Sequence, residues 1–91
     1  MGDDGHTASL FPDTAALKET KRRVIENYVE KLGVWRLSFT FPFINDARAV
    51  VFLVNGKAKM PLVETILRGG TNYPCERVAP KDGQLLWLLG E

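Results

Sequence analysis

Six consecutive apolar residues, Ala49-Val50-Val51-Phe52-Leu53-Val54, constrain the fold of this chain more than any other stretch. The run has strand length and no polar alternation, which suits a strand covered on both faces, as in a parallel α/β sheet. Asn55-Gly56-Lys57 breaks it. Lys59 to Arg68 then reads as a helix, with Pro61 tolerated in the first turn and Leu62, Val63, Ile66 and Leu67 facing inward. Gly69-Gly70 ends that helix, and Thr71 to Glu76 reads as loop. Arg77-Val78-Ala79 is expected as a short extended piece, Lys81-Asp82-Gly83 as a turn and Gln84 to Leu89 as a last strand. Strand, helix, strand in that order fits a right-handed parallel crossover, so the pattern describes a piece of an α/β sheet.

Upstream, Trp35, Leu37, Phe39 and Phe41 alternate with polar residues, the pattern of a half-buried strand that Pro42 stops. Phe43 to Arg48 then makes a helical turn. Pro12-Asp13-Thr14 reads as a turn, with Asp13 a candidate helix cap. Residues 14–32 support two readings. Leu17, Val24, Ile25, Tyr28, Val29 and Leu32 fall at helical spacing before Gly33, which favours an amphipathic helix. Val24, Ile25, Tyr28 and Val29 are also β-branched or aromatic, which equally suits a strand.

At 91 residues the chain can hold one small domain with its own core, residues 1–91. A net charge of +1 argues against nucleic acid or an anionic membrane as partner, and no apolar run approaches the length of a membrane span. The single cysteine, Cys75, forms no internal disulfide, so a reducing cytosol is the expected compartment and a cytoplasmic location follows. Lacking a histidine or cysteine neighbour, Cys75 reads as a packed thiol. One histidine and one cysteine do not make a zinc site. Lys21-Arg22-Arg23 is offset by Glu19, Glu26 and Glu30 and reads as a solvated face, while Trp35 and Trp87 read as core or sheet-edge packing.

The chemistry sits at the start of the chain, in Asp4-Gly5-His6-Thr7-Ala8-Ser9-Leu10-Phe11-Pro12. His6 is the only histidine, and histidine takes and returns a proton near neutral pH. Asp4, two residues away, can orient it, and Gly5 lets the backbone pass close to a ligand. Thr7 and Ser9 can hydrogen-bond a substrate, though Ser9 better suits capping the next turn. A second candidate is Val54-Asn55-Gly56-Lys57-Ala58-Lys59, where a strand ends in a glycine turn and a helix begins. Free N–H groups with an added lysine suit a phosphate there. The turn is not a Walker A loop, and by spacing alone Lys57 and Lys59 are surface lysines.

The Asp4–Pro12 string resembles the active-site motif of the 6-phosphogluconolactonases, relatives of the glucosamine-6-phosphate deaminase/isomerase group. Trp35-Arg36-Leu37-Ser38-Phe39-Thr40-Phe41-Pro42 is similar to that family's Arg-Ile-Thr-Leu-Thr-Leu-Pro, and the likeness continues through Val51–Gly56, Pro74-Cys75, Ala79-Pro80 and Gly83–Leu89. Thr7–Pro12 replaces the deaminases' Ile-Ala-Phe-Asn-Glu-Pro, without the glutamate of their ring-opening chemistry, which favours the lactonase. The resemblance implies the C-terminal part of a Rossmann-like parallel-sheet fold, truncated. It favours, over residues 14–32, a short helix or turn near Thr14–Glu19 and a strand near Val24–Glu30.

The resemblance further implies hydrolysis of 6-phospho-D-glucono-1,5-lactone in the pentose phosphate pathway, with His6 as general base and Asp4 its polarising partner. Gly5, Thr7, Gly56 and Lys59 would bind substrate, and Lys59 in the Gly56-x-x-Lys59 turn would contact its phosphate. This scheme needs no metal and no redox cofactor. Family members are more than twice as long, so the N-terminal strands, the Gly/Ser-rich phosphate loop and an arginine-bearing segment of the pocket have no counterpart here. The expectations are therefore impaired activity in isolation and an exposed sheet edge that pairs in a homodimer or with the missing N-terminal half.

Overall fold

The computed structural model describes residues 1–90. Its strands form two separate two-stranded sheets. β1 (Val24–Val29) and β2 (Val34–Phe39) make an antiparallel hairpin in the register Val24↔Phe39 to Val29↔Val34. A short helix α1 (Phe41–Ile44) leads into β3 (Ala49–Asn55), and α2 (Met60–Arg68) carries the chain to β4 (Gln84–Gly90). β3 and β4 pair in parallel, Ala49↔Gln84 through Asn55↔Gly90. Short 3-10 turns cover Ala15–Lys18, Lys57–Lys59 and Pro74–Arg77.

The ambiguous segment divides into the 3-10 turn Ala15–Lys18 and the strand β1, Val24–Val29. Burial along β1 alternates, with Asn27 and Val29 inside and Val24, Glu26 and Tyr28 outside. An alternating inside–outside pattern needs the two-residue period of a pleated chain, and pairing with β2 supplies the backbone partners a helix would have found within itself. Gly33, at φ +65°, closes the connection where a side chain would be strained.

The core lies between α2, the inner face of β3 and the N-terminal loop. Leu10, Phe41, Phe52, Val54, Val63, Ile66 and Val78 are buried together, and Trp87 stacks on Phe52 with ring centroids 4.2 Å apart. Leu10 is fully buried, which stabilises the fold by about 1.5–3 kcal/mol and ties the loop to the core.

Several expectations are corrected by this packing. β3 is covered on one face only. Phe52 and Val54 are inside, while Val51 and Leu53 are exposed, because α2 covers one side and no described element lies on the other. In β2 the apolar positions face outward, with Trp35 68% and Leu37 76% exposed, and Ser38 is the buried residue. Hydrogen bonds made by Asn27 and Ser38 turn their face of the hairpin inward, which leaves Tyr28, Trp35, Leu37 and Phe39 on the outer face without a partner.

The remaining departures are local. Phe41 opens α1, where Thr40 accepts a hydrogen bond from the Phe43 amide, so β2 stops at Phe39. Pro42 therefore falls in the first turn of that helix, three residues past the end of the strand, where a proline lacks only an N–H the turn does not use. Leu67 points outward while Val63 and Ile66 fill the inner face of α2. Pro74–Arg77 is a 3-10 turn, which takes in part of the expected loop and the start of the expected extended piece. Asp13 sits at φ +60° and caps nothing; Thr14 precedes the Ala15–Lys18 turn.

Asn27 joins the hairpin to the rest. It is 1% exposed. Its Nδ2 donates to the Ser9 carbonyl (2.8 Å) and to Thr14 Oγ1 (2.9 Å), and its Oδ1 accepts from the Ala16 amide (3.1 Å). Replacing Asn27 by Ala leaves the Ser9 carbonyl and the Ala16 amide without this partner. We expect a loss of about 2–4 kcal/mol in the urea unfolding free energy. A loss below about 1 kcal/mol would show that water satisfies those groups instead.

Candidate active site

The residues that carry chemistry lie on a loop held from three sides. Ser38 Oγ accepts from the Ser9 amide (3.1 Å), Asn27 holds the Ser9 carbonyl, and the Cys75 amide donates to the Gly5 carbonyl (3.0 Å). Within the loop the Gly2 amide donates to the His6 carbonyl (2.9 Å), and Leu10 N–H to Thr7 O closes a turn in which Ala8 takes φ +51°. A non-glycine residue in that left-handed region costs roughly 1–2 kcal/mol, and the surrounding hydrogen bonds hold it there.

His6 stacks on Phe11 with centroids 4.0 Å apart. Its other side rests against Gly2, where any Cβ would collide with the ring. Its Nδ1 meets Asp4 Oδ1 at 2.5 Å, and the same oxygen accepts from the His6 amide at 3.2 Å. Lys31 Nζ donates to the other carboxylate oxygen, Asp4 Oδ2, at 2.7 Å. Partial burial works to raise the Asp4 pKa, but the hydrogen bonds from Lys31 and then His6 outweigh it and hold the carboxyl down at about 2, from 3.8. An ionised Asp4 only accepts, so the ring proton belongs on Nδ1 and Nε2 is the nitrogen left for proton transfer.

Gly2, Asp4, His6, Lys31, Arg36 and Lys59 line one open cleft. The loop and the start of α2, 53 residues apart at His6 and Lys59, are thus brought to the same place. Lys59 Nζ donates to the Met1 carbonyl at 2.8 Å, a contact an incoming anion can replace. The other expected residues sit differently. Gly5 is buried with φ +75° under Tyr73, whose ring would touch any added Cβ, so what approaches its backbone is the chain itself. The Thr7 carbonyl closes the turn to Leu10, and the Ser9 amide and carbonyl meet Ser38 and Asn27; the two hydroxyls take no part in these bonds. The Gly56 amide donates to the Gly90 carbonyl (3.0 Å), so the parallel pair uses the N–H that was expected to face a phosphate.

Lys31, Arg36 and Gly2 were not singled out from the sequence. Arg36 read as a polar position of a strand; only the hairpin brings it and Lys31 to the loop. Cys75 is buried against the loop, with Sγ 3.6 Å from the His6 carbonyl. Burial pushes its thiol up to about 11, which removes it as a nucleophile near neutral pH. Among the described residues no group of histidine, cysteine and carboxylate side chains is placed to hold a metal ion, and no helix is long and apolar enough to cross a membrane.

A histidine held by a carboxylate, opening into a cleft with three cationic side chains, has the chemistry to accept a proton beside an anionic ligand. The family model for glucosamine-6-phosphate isomerases/6-phosphogluconolactonase matches residues 1–87. The chain is 43% identical to the 6-phosphogluconolactonase of Chlamydia muridarum over 98% of its own length and 36% of that relative's. It is 45% identical to that of Synechocystis over 100% of its own length and 38% of that relative's. Among solved structures, the 6-phosphogluconolactonase of Thermotoga maritima superposes with a TM-score of 0.82 at 30% identity, covering 100% of this chain and 40% of that one. The chain belongs to the glucosamine-6-phosphate isomerase/6-phosphogluconolactonase family. It spans between a third and two-fifths of the length of these relatives.

The depressed Asp4 pKa has a direct consequence for stability. The folded carboxyl stays ionised to lower pH than the unfolded one, so its contribution is present above about pH 3.8 and is lost as pH falls through about 2. Lys31 is solvent-facing, which reduces the effect to about 1–2 kcal/mol. Urea midpoints taken between pH 5 and pH 2 should fall more steeply for the wild type than for Asp4→Asn; parallel curves would show that the pair contributes nothing.

Proposed function

We propose that this chain carries the proton-transfer and phosphate-lysine side of a 6-phosphogluconolactonase, which hydrolyses 6-phospho-D-glucono-1,5-lactone to 6-phosphogluconate. The observation that carries the reading is the His6–Asp4 pair at 2.5 Å, set in one cleft with Lys59. His6 Nε2 takes a proton from the water that attacks the lactone carbonyl carbon. The tetrahedral intermediate then collapses, the bond to the ring oxygen breaks, and His6 returns the proton to that oxygen. Lys59, with Arg36 beside it, holds the phosphate and so fixes the distance from carbonyl to base. Thr7, Gly5 and Gly56 support the loop and turn that carry these groups. The phenylalanine at position 11, where deaminases are expected to carry glutamate, favours this reading over deamination. A cytoplasmic location suits this phosphosugar chemistry and the single buried, unpaired cysteine.

The proposed macromolecular partner is the portion of the relatives' length that this chain does not span. The apolar outer faces of both sheets, Tyr28, Trp35, Leu37 and Phe39 on one and Val51, Leu53, Leu86 and Leu88 on the other, support that proposal. The same faces favour a second reading, a homodimer that binds phosphosugar without turning it over.

The test is lactone hydrolysis above the spontaneous rate. It is measured for the chain alone and for the chain mixed with the unmatched portion of the Chlamydia muridarum lactonase. We expect little turnover alone, activity in the mixture, and a loss of about 10²–10⁴-fold on His6→Ala. A mixed complex that forms yet leaves the lactone at its spontaneous rate would overturn the lactonase reading. A stable dimer that excludes the added portion would favour the second.

A further inference from the structure

Asp4 uses its two oxygens for two different partners. Oδ1 receives His6 Nδ1 at 2.5 Å and the His6 amide at 3.2 Å, while Oδ2 receives Lys31 Nζ at 2.7 Å. Held by His6 alone, a carboxylate can rotate about its Cβ–Cγ bond and present either oxygen. Anchored at both, it cannot. Lys31 itself is placed by the hairpin: it sits in the turn closed by Gly33, two residues beyond the fully buried Val29, on the strand that Asn27 ties to the loop. The clamp therefore joins the tip of the hairpin to the loop across 27 residues of sequence.

We propose that Lys31 is a positioning residue for the proton-transfer pair: by holding Asp4 Oδ2 it keeps the carboxylate aimed at the ring, and so keeps His6 in the Nδ1–H form with Nε2 free. This rests on the reading of His6 as the base. An ionised Asp4 can only accept, which forces the proton onto Nδ1. A carboxylate turned away from the ring removes that constraint and admits the Nε2–H form, which cannot take a proton from water. The ammonium acts through Asp4 and need not touch the substrate. The other charged groups lining the cleft are Asp3, Arg36 and Lys59. None of them is within salt-bridge distance of Asp4, so the clamp is assigned to Lys31.

Because His6 is the only histidine, its ring nitrogens give unambiguous ¹⁵N signals. The experiment compares the wild-type chain, Lys31→Met, Lys31→Arg and Asp4→Asn. It follows the ring ¹⁵N shifts of the neutral histidine and the Asp4 carboxyl ¹³C signal through an acid titration. In the wild type we expect a protonated Nδ1 and an unprotonated Nε2. Lys31→Met should give a mixture of the two tautomers and raise the Asp4 midpoint by about one pH unit. Lys31→Arg, which restores a cation, should return both readings toward the wild type. Lys31 is mostly exposed, so the fold should survive its loss; Lys31→Gln serves as the neutral variant if Met disturbs the turn. An unchanged tautomer and an unchanged Asp4 midpoint in a folded neutral variant would overturn the proposal, as would Arg behaving like Met. Neither reading depends on turnover. A failed lactonase assay with the expected ¹⁵N pattern would count against the substrate assignment alone.

Discussion

The buried side chain of Asn27 is the connection on which the placement of the site depends. The loop carrying His6 has many backbone groups and few ways to satisfy them away from water, and an orphaned one costs about 1–3 kcal/mol. Asn27 answers two of them, the Ser9 carbonyl and the Ala16 amide, and the Thr14 hydroxyl besides, from a strand otherwise paired to its neighbour. Ser38, on the paired strand, adds the Ser9 amide. The hairpin thus serves as a clamp for the loop, and that role explains why Asn27 and Ser38 point inward while Trp35, Leu37 and Phe39 point outward.

The electrostatics follow from the same connection. Once the hairpin is docked, its tip and its second strand bring Lys31 and Arg36 to the loop, while the start of α2 brings Lys59. Three cations around a histidine would repel a protonated ring were Asp4 not between His6 and Lys31. The carboxylate divides itself between the two, so one group both orients the base and offsets the nearest positive charge. What is left over is positive charge facing the cleft, where an anion can use it.

Much of the architecture was legible in the residues. The unbroken apolar run of β3, the glycine-ended α2 and the Gln84–Gly90 strand formed the parallel unit expected of them. β1 was legible only with help, because Val24, Ile25, Tyr28 and Val29 satisfy a helical and a pleated spacing equally well. A pairing partner decides between them, and a partner is not a local property. The same reasoning accounts for β2. Alternation showed that one face is apolar, but which face is covered depended on the buried asparagine and serine hydrogen bonds, which no hydrophobic pattern reports.

Taken alone, the amino-acid order determined the element types with strong periodicity, the identity of the one residue able to serve as a neutral-pH base, and its short-range pairing with Asp4. Those are local matters, set by side-chain chemistry and by residues within a turn of one another. Tertiary structure decided that Lys31, Arg36 and Lys59 share a cleft with His6, that Gly5 is covered by Tyr73, and that the Gly56 amide is taken by Gly90. Each of those depends on groups far apart in sequence meeting through a docked hairpin or a parallel strand pair. Their geometry follows from packing and hydrogen-bond satisfaction, which act only once the chain has closed on itself.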